Sequence, residues 1–262
     1  MTDRGVDKLA LAERTVWEGL RAYGALPGVE LIEDDSVRAV IGPVPYEGFN
    51  AIFLSTPDEI GGLTENLTMA DGARVPMLAH VWSGAEEVEP HLTELLTAGF
   101  RFYEEEPAMV ASLESNAYPT LPVGLSITSA QNEGDLKSWA KVLTGSDDVR
   151  FIGQVARLRS ARTEDNEPAF EHLLARIEDE IVACAAVFGG TDAAEVQHVV
   201  TDARLRRRGI GTSMTTAAML LAAERGYSQA VLTASPDGVE IYRRLGFHTC
   251  GTVRRYLHLP RR

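Results

Sequence analysis

In the second half of the chain, apolar residues recur either every second position, as in strands, or every three to four positions, as in helices. Two apolar runs, at 170–179 and 180–190, predict adjacent strands joined by a turn around Glu178–Glu180. The run AEVQHVVTD at 194–202 is rich in β-branched residues and predicts a third strand. A helix is predicted from about Ile210 to Arg225, with Gly226 as its stop.

The remaining part of this half continues the same order. SQAVLTA at 228–234 predicts a short buried strand, and FHTCGTVRRYLHL at 247–259 predicts a closing strand. Between them, SPDGVEIYRRLG predicts a short helix with Ser235 as its N-cap, Pro236 in its first turn and Gly246 at its end. Strands, helix, strand, helix and strand in succession indicate an α/β fold with helices packed on a mixed sheet.

The first half repeats this order more faintly. After an amphipathic N-terminal helix, strands are predicted at 36–44, 49–56, 75–82 and 100–110, with helices at 57–70 and 86–99. LLTAGFRFYEE at 95–105 and YRRLGFHTCGT at 242–252 share the order helix, Gly, Phe, strand, which we interpret as a degenerate internal repeat. Two unrelated elements that share a helix-ending glycine are the alternative. Prolines in SNAYPTLPVG place the boundary between domains 1–122 and 123–262.

Charge is distributed unevenly between the halves. The chain carries a formal net charge of −13, and residues 1–122 hold 7 Lys/Arg against 21 Asp/Glu. This acidity argues against a nucleic-acid partner, which would require clustered basic residues. It indicates either ordinary solubility or attraction of a cationic substrate.

Other composition signals exclude several classes. No apolar run approaches the ~20 residues that cross a bilayer, and the N-terminal segment lacks the apolar core of a signal peptide. We therefore expect a cytoplasmic protein with no membrane partner. Cys184, Cys250 and the scattered histidines show no metal-ligand spacing, so no metal is expected.

The stretch RLRRRGIGTSM at 204–214 concentrates four arginines between a predicted strand and a predicted helix. The free N–H groups at a helix start form an anion site together with the helix dipole. Gly209 and Gly211 allow the backbone to approach a bulky anion such as a pyrophosphate. The Walker pattern is absent, and Met214 stands where a dinucleotide-binding G-x-G-x-x-G motif needs its third glycine.

The order Arg-Arg-Arg-Gly-Ile-Gly at 206–211 fits Arg/Gln-x-x-Gly-x-Gly/Ala. Together with VVT at 199–201 and IYRRLGF at 241–247, it resembles the GNAT superfamily of N-acetyltransferases over roughly residues 123–262. The resemblance implies a GNAT fold in this half and acetyl-CoA as cosubstrate. With the internal repeat, it implies a tandem-GNAT chain with an intact C-terminal half. The N-terminal half lacks the motif and is expected to be degenerate.

The resemblance also assigns binding roles to individual residues. In this family the strand before the loop pairs through its backbone with the pantetheine arm, and the loop amides hold the pyrophosphate. Ser235 stands where many relatives contact coenzyme A through an asparagine, although an N-cap role would explain it equally well. The arginine side chains could instead form a solvated rim. The implied binding residues are Val199, Val200, Thr201, Arg206, Arg207, Arg208, Gly209, Ile210, Gly211, Thr212 and Ser235.

Three residues are candidates for proton transfer. Tyr242 matches the tyrosine that relatives use as general acid toward the leaving thiolate, with simple packing as the alternative. Glu195 matches a strand glutamate that some relatives use as general base, and His198 is a second candidate. Strand alternation predicts that Glu195 and His198 point to opposite faces unless a bulge intervenes. A water relay is a further alternative for the base.

These residues together favour an N-acetyltransferase that moves an acetyl group from acetyl-CoA to a primary amine of a small molecule. The amine would attack the thioester directly in a ternary complex. The alternatives are another acyl-CoA or a carrier-protein donor in a biosynthetic pathway, peptide N-terminal acetylation, and a non-catalytic acyl-CoA-binding module. The sequence predicts no oligomeric state.

Overall fold

The computed structural model of the protein describes residues 7–34, 37–44, 46–54, 63–83, 89–114, 122–145, 149–158 and 169–260. They form two compact units, neither of which is continuous in sequence. The first unit contains the described residues of Met1–Gly19 and Met109–His248, and the second unit those of Leu20–Ala108 and Thr249–Arg262. The division predicted at residue 122 stays a prediction, and most of the proline-containing segment lies outside the described residues.

The described residues of the second unit form a mixed sheet and two α-helices. Its order of neighbouring strands is β1-β2-β3-β4-β11-β5, with β3 and β4 parallel and the pairs β1–β2, β2–β3 and β4–β11 antiparallel. Residues of helices α2 and α3 join Ile52, Ala79 and Phe100 in one buried core. The elements are β1 Glu30–Asp34, β2 Val37–Ile41, β3 Ala51–Leu54, α2 Leu63–Ala73, β4 Met77–Ser83, α3 Glu89–Thr97, β5 Arg101–Ser112 and β11 His248–His258.

The first unit has the same kind of architecture around a larger core. Its strand order is β5-β10-β9-β8-β7-β6, with β9 and β10 parallel and β6 to β9 antiparallel to their neighbours. The elements are α1 Lys8–Ala22, β6 Leu125–Ser129, α4 Glu133–Thr144, α5 Val149–Leu158, β7 Phe170–Ile177, β8 Glu180–Gly189, β9 Ala194–Thr201, α6 Ile210–Glu224, β10 Gln229–Thr233 and α7 Val239–Arg244. The residues of α1 up to Gly19, and those of β5 from Met109, belong to this unit.

Two faces of the β8–β9 sheet are covered by different helices. Ala185 and Val187 of β8 join Met214 and Ala218 of α6 in one buried cluster. On the other side, the buried indole of Trp139 in α4 donates a 2.7 Å hydrogen bond from Nε1 to the carbonyl oxygen of Ala185. Because both faces of β8 are buried, its sequence is a near-continuous apolar run.

Most of the predicted elements are confirmed, and four are additional. The strands and helices predicted at 170–190, 194–202, 210–225 and 228–259 are present with boundaries within a few residues. β1, β6, α4 and α5 were not predicted from the sequence. Among the helices of the described residues, none combines the length and apolar character that crossing a bilayer requires.

Candidate functional site

Strands β9 and β10 separate partway along their length. Their parallel register contains only the pairs Ala194 with Ala230 and Glu195 with Val231, although β9 continues to Thr201 and β10 to Thr233. Beyond Glu195 the two strands therefore no longer pair along the described residues. Backbone N–H and C=O groups that leave a ladder need other partners, so this gap can receive an extended ligand.

A β-bulge lies in the separated part of β9. Cys184 of β8 pairs with Val200, but Ala186 pairs with Gln197, so β9 carries one extra residue against β8. His198 takes this place with a φ of 57°, in the left-handed region that non-glycine residues seldom adopt. The bulge reverses the alternation of the side chains that follow it.

Strand alternation predicts opposite faces for Glu195 and His198 unless a bulge intervenes, and the bulge in β9 is that exception. Val196 packs in the α6 cluster, so Glu195 faces the other side of the sheet, where it accepts a 3.1 Å hydrogen bond from Nε2 of Gln197. The His198 ring lies 5.6 Å from the ring of Trp139 on this same side. Glu195 and His198 consequently share one face because the extra residue shifts the period by one.

The loop after β9 ends in an uncapped helix start. Gly209 occupies the N-cap position of α6 with a φ of 80°, and no side chain of the described residues caps it. Ser213 donates its N–H to the carbonyl of Gly209 at 3.0 Å, whereas the first N–H groups of any α-helix have no acceptor within it. Arg207 also has a positive φ, of 65°. The loop thus directs several N–H groups and the positive end of the α6 dipole to one place.

Only part of the arginine cluster is available for a ligand. The Arg204 guanidinium lies 2.6 Å from Asp202 and 2.8 Å from Glu180, so its charge is balanced within the protein. Hydrogen bonds from the side chain and backbone of Arg204 lower the pKa of Asp202 to about 2. The side chains of Arg206, Arg207 and Arg208 are exposed. The net positive charge of the loop therefore comes from these three residues.

A cleft of about 910 Å³ joins these features. Its volume falls in the usual range for small-molecule sites. Of the residues predicted from the sequence, Arg208, Glu195 and His198 lie outside its described lining. The predicted residues that line it are Val199, Val200, Thr201, Arg206, Arg207, Gly209, Ile210, Gly211, Thr212, Ser235 and Tyr242.

Tyr242 is held in the cleft by a glycine that the sequence analysis did not select. A Cβ atom added at Gly238 would lie 2.7 Å from Cε2 and 3.3 Å from Cζ of Tyr242, so only glycine leaves room for the ring. The ring also meets Phe247 edge-on, with centroids 5.9 Å apart. The sequence signal for this glycine is its place one helical turn before the tyrosine.

The predicted capping role of Ser235 is wrong. Helix α7 begins at Val239, and its N-cap position is occupied by Gly238, which makes no side-chain capping bond. The carbonyl of Ser235 instead accepts the N–H groups of Gly238 and Val239 at 2.8 and 3.3 Å. Pro236 and Asp237 therefore form a turn before the helix and lie in the cleft lining beside Ser235.

The buried cysteine near the bulge has no nucleophilic character. Burial raises the pKa of the Cys184 thiol, which keeps it protonated, and its Sγ lies 3.6 Å from the carbonyl of His198. Within the described part of the chain, no three His, Cys, Asp or Glu residues cluster in a way that could hold a metal ion.

Comparison with known families agrees with this geometry. Residues 141–259 match the profile of the acetyltransferase (GNAT) domain. The matched range contains the separated strands, the loop, α6 and Tyr242. Among curated protein sequences, none matches the chain significantly.

Solved structures show the same fold along nearly the whole chain. A GCN5-related N-acetyltransferase from Kribbella flavida is 20% identical, with a TM-score of 0.66 over 97% of this chain and 95% of that one. A GCN5-related N-acetyltransferase from Sphaerobacter thermophilus is 15% identical, with a TM-score of 0.60 over 100% and 98%. A tandem GNAT protein from the clavulanic acid biosynthesis pathway is 12% identical, with a TM-score of 0.60 over 98% and 96%.

Proposed function

Because residues 141–259 match the GNAT acetyltransferase domain, we propose that this protein transfers an acetyl group from acetyl-CoA to a primary amine of a small molecule. The observation that carries the proposal is the cleft at the separated ends of β9 and β10, into which the uncapped start of α6 opens. An extended arm that ends in a pyrophosphate fits both parts of this cleft. Acyl transfer is the chemistry that the GNAT domain supports in general.

The donor would be bound mainly by backbone groups. The unpaired edge of β9 at Val199–Thr201 would pair with the amides of the pantetheine arm, as a further strand would. The N–H groups of Gly209–Thr212 would receive the pyrophosphate. The exposed guanidiniums of Arg206 and Arg207, which line the cleft, would add countercharge.

The transfer would be a direct displacement. The lone pair of the neutral amine attacks the thioester carbon, and the tetrahedral intermediate collapses as the C–S bond breaks. Tyr242, fixed between Gly238 and Phe247, would donate its phenolic proton to the leaving sulfur. Glu195 would take the proton of the amine, directly or through water. Glu195 belongs to the last residue pair before β9 and β10 separate, and this position supports Glu195 as the base. His198 is less suited to that role because its ring packs on Trp139.

We further propose one donor site per chain and a cationic acceptor. The Arg-x-x-Gly-x-Gly motif occurs once, in the C-terminal half, which supports a tandem arrangement with a degenerate N-terminal half. The 21 acidic residues against 7 basic ones in residues 1–122 support electrostatic attraction of an amine such as a polyamine, an aminoglycoside or an aminoacyl metabolite. The KM of a cationic acceptor should then rise with salt, while a flat salt response would contradict this part.

Two measurements test the proposal in order. Calorimetric titration of the full chain with acetyl-CoA should give about one site per chain. Release of the coenzyme A thiol should then follow addition of an amine from a panel of spermidine, kanamycin and alanine amide. Absence of binding would contradict acetyl-CoA as the donor and favour a carrier-protein thioester. Binding without thiol release for any amine would favour a non-catalytic acyl-CoA-binding module.

A further inference from the structure

The N-terminal helix α1 lies outside the matched GNAT range, which begins at residue 141, yet it covers the carboxylate of Glu195. A Cβ atom added at Gly19 would lie 2.7 Å from Oε2 of Glu195, a distance that real Cβ atoms do not adopt. The same position would be 3.4 Å from Cδ1 of Phe188 and 3.6 Å from Nε2 of Gln197. The helix backbone at Gly19 therefore rests directly on the Glu195–Gln197 pair.

This part of α1 is held by polar contacts of Glu18, which directly precedes Gly19, and of Arg14, five residues before it. The Glu18 carboxylate accepts hydrogen bonds from the N–H and Oγ1 of Thr191 at 2.8 and 2.7 Å. Arg14 donates a 2.6 Å hydrogen bond to Asp192. Thr191 and Asp192 belong to the turn that leads into β9. These bonds therefore connect α1 to the start of the strand that carries Glu195.

Glu195 itself has little freedom in this arrangement. Its side chain is buried, with 8% of the residue exposed, and Oε2 accepts the hydrogen bond from Gln197 at 3.1 Å. The close approach of the helix backbone limits the other orientations of the carboxylate.

From these contacts we infer that Gly19 and Gln197 are positioning residues for the acyl transfer: Gly19 leaves the space that the Glu195 carboxylate occupies, and Gln197 orients it. The inference rests on the proposed function, in which Glu195 takes the proton of the acceptor amine. It assigns the N-terminal helix a part in the site that the matched domain alone does not contain. Neither residue touches the reacting atoms, so both act through Glu195.

Substitution of Gly19 by alanine in the full chain tests this inference. A methyl group 2.7 Å from Oε2 must displace the carboxylate by several tenths of an ångström. Misplacement of a catalytic group by about 1 Å can cost on the order of 10²-fold in rate. We therefore expect kcat of G19A to fall by about 10- to 100-fold, with the KM for acetyl-CoA within about twofold of wild type.

A matched control variant and a double variant distinguish positioning of the Glu195 carboxylate from a general packing defect. Gly153 is a helical glycine of α5 whose added Cβ would meet nothing within 4 Å, so Gly153→Ala should retain wild-type kcat. Combining Gly19→Ala with Glu195→Asp shortens the side chain that meets the new methyl group. Because the shorter side chain no longer meets the methyl group, the double variant should have about the kcat of Glu195→Asp alone, so that the two losses are not additive.

If thermal denaturation shows that Gly19→Ala does not fold, Gln197→Leu decides the matter, because it removes the donor without adding a clash. The pKa on the acidic limb of its kcat/KM profile should rise, since the charged carboxylate loses a hydrogen bond. The inference would be overturned if Gly19→Ala kept the wild-type kcat, or if Gly153→Ala lost as much kcat as Gly19→Ala. It would also be overturned if the acidic limb of the Gln197→Leu profile did not move. None of these outcomes would contradict the proposed function. A wild-type chain that acetylates none of the probe amines would contradict the proposed function first.

Discussion

Gly211 is the position at which stability and acetyl-CoA affinity should change in opposite directions. It is the second residue of α6, and an added Cβ would lie 3.7 Å from Cδ1 of Ile241 and 3.8 Å from Oγ1 of Thr201, which are ordinary contact distances. Both neighbours line the cleft. Alanine therefore fits without a clash, whereas the longer leucine side chain has to extend among the cleft residues.

The effects on stability and on acetyl-CoA affinity can be estimated separately. Glycine is about 1 kcal/mol less favourable than alanine or leucine inside a helix, so either substitution should raise the free energy of unfolding by up to about 1 kcal/mol. For a chain of this size that corresponds to about 2–4 °C in Tm. A leucine that keeps the pyrophosphate from one N–H of α6 removes a charge-assisted hydrogen bond of about 1.5–3 kcal/mol. The Kd for acetyl-CoA should then rise about 10- to 150-fold.

Calorimetric titration and thermal denaturation of Gly211→Ala and Gly211→Leu give both quantities. Gly153→Leu is the control, because its side chain meets open space on α5 and should add stability without changing the Kd. A wild-type Kd in Gly211→Leu would refute the assignment of the α6 start as the phosphate site. A lowered Tm in Gly211→Leu would show that weakened binding reflects a damaged fold.

Three further predictions concern catalysis, acid stability and helix capping. Tyr242→Phe keeps the ring between Gly238 and Phe247 but removes the acidic proton, so kcat should fall about 10²–10⁴-fold with an unchanged acetyl-CoA Kd; initial rates and calorimetry would measure both. Burial, and secondarily Arg255, lowers the pKa of His80 well below 6.5, so the unfolded chain binds a proton that the folded chain does not. The free energy of unfolding should therefore fall as pH drops below about 6.5, and His80→Phe should reduce that slope by up to about 1.4 kcal/mol per pH unit in denaturant titrations; an unchanged slope would contradict it. Asn132→Ala removes the 3.0 Å capping bond from the N–H of Asp135 and should lower the free energy of unfolding by about 1 kcal/mol, as measured by thermal denaturation. Asn132→Ser should retain most of the wild-type stability, because serine is also a favourable N-cap.

The sequence predicted elements well wherever both faces of a strand or one face of a helix are apolar. β8 and α6 are of this kind, and their boundaries are confirmed within about a residue. β1 could not be predicted because it is a mostly exposed strand whose charged ends hide any alternation. Helix α4 does have a start signal in the sequence, because Asn132 is a favourable N-cap residue and its side chain accepts the N–H of Asp135.

The sequence located the glycine loop of the site but not the bulge that determines which faces the side chains of β9 occupy. Gly209 and Gly211 line the cleft as expected, because the order of strand, glycine loop and helix defines where the free N–H groups lie. The bulge at His198 could not be predicted, since an extra residue in a strand depends on the register with β8 and leaves no mark in the periodicity. Ser235 was misjudged because a turn and a helix cap favour the same residues.

The chain passes between the two units at 19/20, 108/109 and 248/249, and this matters during synthesis on the ribosome. Strand β4 is complete at Ser83, but its antiparallel partner β11 ends at His258, about 175 residues later. At about 5–20 residues per second, a nascent chain holds β4 without this partner for roughly 10–35 s. Strand β3 pairs with one edge of β4, but the other edge stays open until β11 is made, and an open edge of such apolar character is a template for association with other chains. Ribosome stalling before residue 248 should therefore leave an aggregation-prone product.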